Sequence, residues 1–363
     1  MVSVIGSGTI GSYAAYLLAK QGEDVKLYEE HEKIGIPCHC TGIVTSYLQD
    51  MIKLPRKLVV NKLKHVKVVA PNGKSIILGS KDIVLDRVGF DAFLADKAVK
   101  EGAEIVYGHR FEEIKNDKLV FKHDNETKEI RSDLIIGADG PDSKVRKYGY
   151  EKPISKWIGV QTVQKAEYDK DTFEVYFGDE LCPEFFAWVV PDTESTAIVG
   201  LATKKTPSIY FERFMKRRFG ENYRSGILSW RGGMIPEYDK NIMAQKGNIF
   251  LVGDAATHVK ATTGGGIIPG MGAAEALADS IKNNKNYDKE WRKKVGKDLW
   301  IHLKIRETLN KFSDKDYNYL IDLMKQERIS SMLAKHEREY PSKFMVKMLL
   351  REPRFLYFMK HLF

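Results

Sequence analysis

Residues Val2 to Gly35 read VSVIGSGTIGSYAAYLLAKQGEDVKLYEEHEKIG. A short apolar run, Val2-Ser3-Val4-Ile5, passes into Gly6-Ser7-Gly8-Thr9-Ile10-Gly11. An amphipathic stretch follows through Leu18, and a second apolar run ends at Glu29. The period changes from strand to helix and back, which predicts a βαβ unit. Gly6 permits the tight turn off the strand, Gly8 lets backbone approach a pyrophosphate, and Gly11 lets helix and strand pack closely. Thr9 and Ile10 open the helix, so its free N–H groups and positive dipole end face the diphosphate. Glu29, closing the second strand, is placed to accept hydrogen bonds from an adenosine ribose. Strand, glycines, helix, strand and acid in that order point to a dinucleotide site.

Downstream, Ile36-Pro37-Cys38-His39-Cys40-Thr41-Gly42 is a compact loop with two thiols and an imidazole. Zinc wants four ligands, and Cys182 is far off with no paired spacing, so no metal site is expected. From Leu58 to Leu78 apolar and polar residues alternate around Asn72-Gly73, a hairpin signal. Ile83 to Asp91 then leads, through Arg87, into a helix carrying Phe93, Leu94, Ala98 and Val99. An arginine at such a junction usually forms a surface ion pair, but it can also clamp a phosphate or flavin. Glu104 to Tyr107 reads as a third parallel strand, and Phe111 to Arg131 as a small meander broken at Asn116-Asp117 and Asp124-Asn125.

Leu134-Ile135-Ile136-Gly137-Ala138-Asp139-Gly140 is a buried strand, and ligands sit at the carboxyl ends of parallel strands, so Asp139 and Gly140 are expected in the crevice with Gly8. Residues 157–231 are aromatic and β-branched in alternation, including Phe185-Phe186-Ala187-Trp188-Val189-Val190-Pro191, and predict an antiparallel sheet with one covered face. Asn248 to Ala256 returns to a buried strand ending in Gly253-Asp254. The run Thr262-Thr263-Gly264-Gly265-Gly266-Ile267 then opens a helix through Ile281. Adjacent glycines let backbone press on a flat ligand while the helix dipole faces developing negative charge. Beyond Ile281 the chain is helical and basic, ending in Phe355-Leu356-Tyr357-Phe358-Met359 and Leu362-Phe363. A bundle packed on the sheet is the simpler reading; an apolar, basic end touching a membrane surface is the other.

With 363 residues, 43% hydrophobic and 29% charged, the chain can hold a large core in two or three structural units. No run of about 18 apolar residues is present, so no transmembrane helix is expected. The first strand is expected to start at Val2, so no signal peptide is expected, and three cysteines predict no disulfide framework. A cytoplasmic setting, with peripheral contact at the inner membrane surface as a variant, is expected. The net charge of +9 favours acidic partners, but no nucleic-acid module is visible.

The glycine loop with Glu29, the Asp139-Gly140 strand end, Gly253-Asp254 with its glycine-rich helix, and Arg87 before Phe90-Asp91 together resemble FAD-dependent enzymes built like aromatic hydroxylases. Within that group the chain is most similar to the geranylgeranyl reductase family. Cys40-Thr41-Gly42 looks like its cysteine loop, Phe186-x-Trp188-x-x-Pro191 like its substrate motif, and Thr263 to Ile267 like its flavin loop. Phe186 stands where that motif commonly has tyrosine, and Asp192 where lysine commonly follows the proline.

The resemblance implies an α/β fold: a Rossmann-like, glutathione-reductase-type FAD domain (residues 1–55, 82–150 and 240–282), an inserted antiparallel substrate sheet (56–81 and 151–239) and a C-terminal helical region (283–363). It implies that Gly6, Gly8, Thr9, Ile10, Gly11, Glu29, Cys40, Thr41, Gly42, Arg87, Asp139, Gly140, Gly253, Asp254, Gly264, Gly265, Gly266 and Ile267 surround FAD. Phe186, Trp188 and Pro191 line the substrate, and Cys40, Gly265 and Gly266 stand at the reacting centre. The implied chemistry is saturation of isolated alkenes in isoprenoid lipid chains by hydride from reduced FAD, with ferredoxin, a reduced nicotinamide or a quinol as the donor classes. The rivals are an oxygen-using flavin hydroxylase or halogenase, against which a single tryptophan at 186–188 counts, and an electron-transferring flavoprotein.

Overall fold

The computed structural model describes residues 1–335, 339–343 and 345–361; the terminal Leu362-Phe363 lies outside the described residues. It divides into two units, 1–38, 87–155 and 236–300 in the first, and 39–86, 156–235 and 301–363 in the second.

The first unit is built on a six-stranded sheet with Val2–Ile5 near its centre. Val25–Tyr28 and Leu134–Gly137 flank that strand in parallel, Glu104–Val106 and Ile249–Leu251 extend the sheet in parallel, and the short Gln245–Lys246 closes one edge antiparallel. Val2–Ile5 is buried on both faces, which is why it reads as a continuous apolar run instead of an alternating one. Helix Thr9–Lys20 turns Gly11, Ser12, Ala14, Ala15 and Leu18 inward; the first four are small enough for the helix to lie close to the sheet. The meander forms as Arg110–Lys115, Lys118–His123 and Glu126–Arg131, with Asn116, Asp117 and Asp124 in the left-handed region at its turns.

The second unit carries an eight-stranded sheet in the order Ile227–Pro236, Lys156–Lys165, Thr196–Thr203, Ala187–Pro191, Thr172–Tyr176, Val59–Val69, Ser75–Leu85, Ile43–Thr45. The expected hairpin is the pair Val59–Val69 and Ser75–Leu85, turning at Gly73 with φ +84°. The sheet is not wholly antiparallel as expected, because Thr172–Tyr176 pairs with Val59–Val69 in parallel. A parallel pair needs a long crossover, and here the chain supplies one by passing through residues 87–155 of the first unit before returning.

The sheet of the second unit is strongly curled. The side chain of His39 abuts Gly233 on the first strand, where an added Cβ would lie 3.2 Å from His39 Cβ, while Ile43 pairs with Val84 next to the opposite edge. Four residues reach at most about 14 Å. Seven flat inter-strand spacings of about 4.8 Å would separate those edges by roughly 34 Å. The edges therefore approach each other, and the loop between His39 and Ile43 spans the gap.

The described residues from 283 onward do not form a helical domain of their own. Tyr287–Trp291 belongs with the first unit, Tyr287 donating its hydroxyl to Leu251 O at 2.9 Å. Helix Asp314–Met324 belongs with the second, where Ile321 and Met324 pack on Ala70, Ile76, Val68 and Leu78 of the hairpin. An eleven-residue helix takes most of its stability from such packing. No helix among the described residues is long and apolar enough to cross a membrane.

Candidate functional site

In the first unit the three glycine-bearing strand ends converge. A Cβ at Gly6 would lie 2.5 Å from Ala138 O, and one at Gly11 would lie 1.9 Å from Gly6 O and 3.1 Å from Ala138 Cβ. Gly253, at φ +68°, and Gly270 both pack against Ile10, at 3.0 and 2.8 Å from their added Cβ positions. The sequence-predicted Gly6, Ile10, Gly11 and Gly253 thus hold one another at the carboxyl ends of the parallel strands.

Around that knot the charged groups are ordered. Glu29 Oε2 accepts from the Ser7 N–H at 3.0 Å and the Ser7 hydroxyl at 2.6 Å, and Oε1 accepts from the His31 N–H at 3.0 Å with His31 Nδ1 at 2.6 Å. Burial alone would raise the Glu29 carboxyl, but these bonds outweigh it and hold it below the usual carboxylate range. Arg87 donates to Thr9 Oγ1 at 2.6 Å and pairs with Asp91 at 3.1 Å, and Thr9 in turn donates to Asp91 at 2.6 Å. Asp254 is half-buried; burial pushes its carboxyl up to about 6, against the pull of Arg87. An added Cβ at Gly266 would come within 2.9 Å of Asp254 Oδ1, so only glycine leaves that carboxylate uncovered.

Asp139 stands beside Gly6, its Cα 3.1 Å from the Cβ position added there. Its carboxylate accepts from the Ser143 hydroxyl at 2.5 Å and from the N–H groups of Lys144 and Val145 at 2.7 and 3.1 Å, so it caps the turn after the strand and faces its own chain. Burial raises this carboxyl, and those bonds only partly offset the rise.

The cradle fits a dinucleotide. Helix Thr9–Lys20 starts at Gly8 with no side-chain cap, and a Cβ at Gly8 would meet nothing within 4 Å. Gly140, at φ +79°, is equally open. Helix Ile267–Lys282 also begins uncapped, at Gly266, behind the tight turn of Gly264 at φ +71° and Gly265. Two uncapped N-termini and open glycines are what an anionic, planar-ended ligand requires. Among the described residues no group of three or more His, Cys, Asp or Glu side chains could hold a metal ion.

The second unit gathers the other predicted residues, with one exception. Directly paired residues share a face, so Trp188, Gly200 and Gln161, in register across three strands, point the same way. Phe186 joins them, its ring 5.8 Å from that of Trp188, and the aromatic contacts continue to Phe177 at 6.0 Å and on to Tyr317. Pro191 is three residues from Trp188 and lies on the opposite face; its carbonyl accepts from Asn61 Nδ2 at 2.9 Å. Cys40, Thr41 and Gly42 sit on the loop that crosses between the sheet edges, Gly42 O accepting from the Leu85 N–H at 2.9 Å. Cys182 is buried elsewhere, its thiol donating to Ala202 O at 3.0 Å and raised by burial. Gln161 and Gly200 were not among the predicted residues. The signal for Gly200 was a glycine inside the β-branched run Ala197-Ile198-Val199.

Comparison with known proteins matches these two regions separately. Residues 4–46 fit the NAD(P)-binding Rossmann-like domain family, and residues 157–235 fit the geranylgeranyl reductase catalytic domain family. Among solved structures, a geranylgeranyl bacteriochlorophyll reductase-like protein from Thermoplasma acidophilum superposes with a TM-score of 0.83 at 24% identity, covering 100% of this chain and 98% of that one. A flavin-dependent halogenase superposes at 0.69 with 17% identity, covering 98% and 77%, so the two share a fold. The digeranylgeranylglycerophospholipid reductase of Methanosarcina acetivorans is 30% identical over 91% of this chain and 90% of its own. The digeranylgeranylglycerophospholipid reductase 2 of Methanothermobacter thermautotrophicus is 30% identical over 94% and 97%. Likeness of that extent runs through the curled sheet as well as the nucleotide fold, and the chain belongs to the geranylgeranyl reductase family.

Proposed function

We propose that this chain is an FAD-dependent reductase that saturates isolated double bonds in the geranylgeranyl chains of archaeal-type ether phospholipids or their precursors. The observation that carries the proposal is where the catalytic-domain match falls: residues 157–235 hold the strands on which Trp188, Gly200 and Gln161 share one face. Phe186, Trp188, Phe177 and Tyr317 give that face the aromatic lining an isoprenoid chain needs.

Gly8, Thr9 and Ile10 at the helix start would hold the diphosphate of FAD. Glu29 would meet its adenosine ribose, Arg87 and Asp254 its diphosphate and ribityl chain, and Gly264 to Ile267 its ring. Reduced FAD, when bound, supplies the hydride that an unactivated alkene requires. The chain's own residues do the rest. An isolated alkene has no carbonyl to polarise, so the aromatic face must hold the double bond in place and keep water out. The second alkene carbon needs a proton, and the Cys40 thiol is the group on this unit's crossing loop proposed to carry it or to orient the chain.

Asp254 ties cofactor affinity to pH. An ionised carboxylate is the stronger acceptor for ribityl hydroxyls, so with a value of about 6 in the free protein, FAD affinity is expected to rise as pH increases through that value. The stability of the cofactor-free fold should move the other way. The folded state keeps a proton that the unfolded chain releases near pH 4, so stability declines as pH rises from there to about 6. Titrating apoprotein with FAD at about pH 5 and about pH 7.5 checks the first trend. Asp254→Asn should flatten both trends, and a wild-type affinity that does not change over this range contradicts the assignment.

Anaerobic stopped-flow oxidation of the reduced flavin separates the proposal from its rivals. Reoxidation on adding a geranylgeranyl phospholipid without oxygen supports the reductase. A flavin that stays reduced until oxygen or a quinone is admitted favours the hydroxylase or the electron carrier.

A further inference from the structure

One side chain bonds the crossing loop of the second unit on both sides of Cys40. Gln161 projects from strand Lys156–Lys165, is 3% exposed, and uses both ends of its amide on the loop. Its Nε2 donates to His39 O at 3.0 Å, and its Oε1 accepts from the Thr41 hydroxyl at 3.0 Å. Cys40 lies between those two anchors. Its Sγ accepts from the Gly42 N–H at 3.4 Å, which fixes the direction of the thiol as well as the path of the backbone. A buried amide would be costly here without such partners, about 1–3 kcal/mol for each unsatisfied group, and this one is paired at both ends.

The same glutamine borders the aromatic face. An added Cβ at Gly200 would lie 2.5 Å from Gln161 Cβ and 2.8 Å from Trp188 Cζ2, so the anchor of the Cys40 loop and the indole meet across one missing side chain. On the Gln161 side, the loop is further seated by His39 against Gly233, 3.2 Å from its added Cβ.

We propose that Gln161 is a positioning residue for the reduction: it pins the backbone on both sides of Cys40 and so sets where the thiol stands above the face that carries Trp188. This rests on the reading of the chain as an alkene reductase in which Cys40 acts. Gln161 itself carries out no chemistry.

The test is a double-mutant cycle on the flavin-loaded enzyme, paired with a measurement that needs no turnover. Gln161→Leu, of similar size, is expected to lower kcat about tenfold, the cost of a small misplacement, with KM and flavin content unchanged. In a Cys40→Ser background the same substitution should cost nothing further, because its effect passes through the thiol. A merely structural role would multiply the two losses instead, and that result overturns the proposal. Separately, alkylation of Cys40 by iodoacetamide, read by peptide mass, should be several-fold faster in Gln161→Leu than in wild type. If Gln161→Leu does not fold, Thr41→Val, which removes one of the two hydrogen bonds and keeps the shape, should give the same signature at smaller size. An enzyme that reduces no geranylgeranyl lipid sinks the functional reading alone, whereas unchanged alkylation sinks the clamp.

Discussion

Gly11→Ala is expected to yield a chain that no longer holds its nucleotide cradle, while Gly8→Ala, three residues earlier, yields one that folds and fails to bind. An added Cβ at Gly11 would stand 1.9 Å from Gly6 O, far inside any real contact, and the obstacle is backbone. Relief requires moving the helix off the strand that starts the whole sheet. The loss should reach at least about 3 kcal/mol, the upper end of ordinary overpacking, because no flexible side chain can yield. At Gly8 an added methyl meets nothing within 4 Å. Its cost to folding should stay under about 1 kcal/mol, that of a poorer residue at a helix start. The same methyl would occupy the space through which backbone approaches a pyrophosphate. Thermal denaturation of the apoproteins and visible absorbance of bound flavin separate the two effects. A Gly11→Ala protein with wild-type stability, or a Gly8→Ala protein with full flavin content, would contradict this account of the cradle.

The second large effect is expected at Gly200, in the other unit. Gly200→Ala would bring a methyl to 2.5 Å from Gln161 Cβ, 2.7 Å from Val160 O and 2.8 Å from Trp188 Cζ2. The indole and the anchor of the Cys40 loop must then separate. Displacements near 1 Å around a reacting centre cost about a hundredfold in rate, and a kcat loss of that order is expected with flavin content intact. Combining Gly200→Ala with Trp188→Phe removes the ring atom that collides and should restore part of the rate. Wild-type turnover by Gly200→Ala would mean that this face does not hold the alkene.

The parts of the fold visible in the sequence were those with local causes. The βαβ unit could be read because the period changes within a few residues and Gly6, Gly8 and Gly11 each answer a separate steric demand. The meander showed itself through Asn116-Asp117 and Asp124-Asn125, which adopt the left-handed turns their composition suggests. Pairing between distant segments leaves no such trace. Nothing near Thr172–Tyr176 announces a parallel partnership with Val59–Val69, and the curl of that sheet emerges only from where His39 and Ile43 land.

The site divides along the same line. Strand-end position placed Asp139 beside the glycine loop, where it lies; that Ser143 and the following N–H groups bond its carboxylate was signalled only by the four-residue spacing to Ser143. Phe186, Trp188 and Pro191 were grouped as one motif, although an odd spacing from Trp188 to Pro191 already put them on opposite faces of a strand. Gln161 could not have been found from sequence, because a lone glutamine in a β-run looks like any polar position. Its partners are a backbone carbonyl and a hydroxyl more than a hundred residues away.

Mass spectrometry of a geranylgeranylated phospholipid, incubated without oxygen with the dithionite-reduced, flavin-loaded enzyme, tests the central claim most directly. The account predicts a gain of two hydrogens for each double bond saturated, dependent on the protein and abolished when the flavin is left oxidised. A lipid of unchanged mass, recovered beside a flavin that remains reduced, would contradict it.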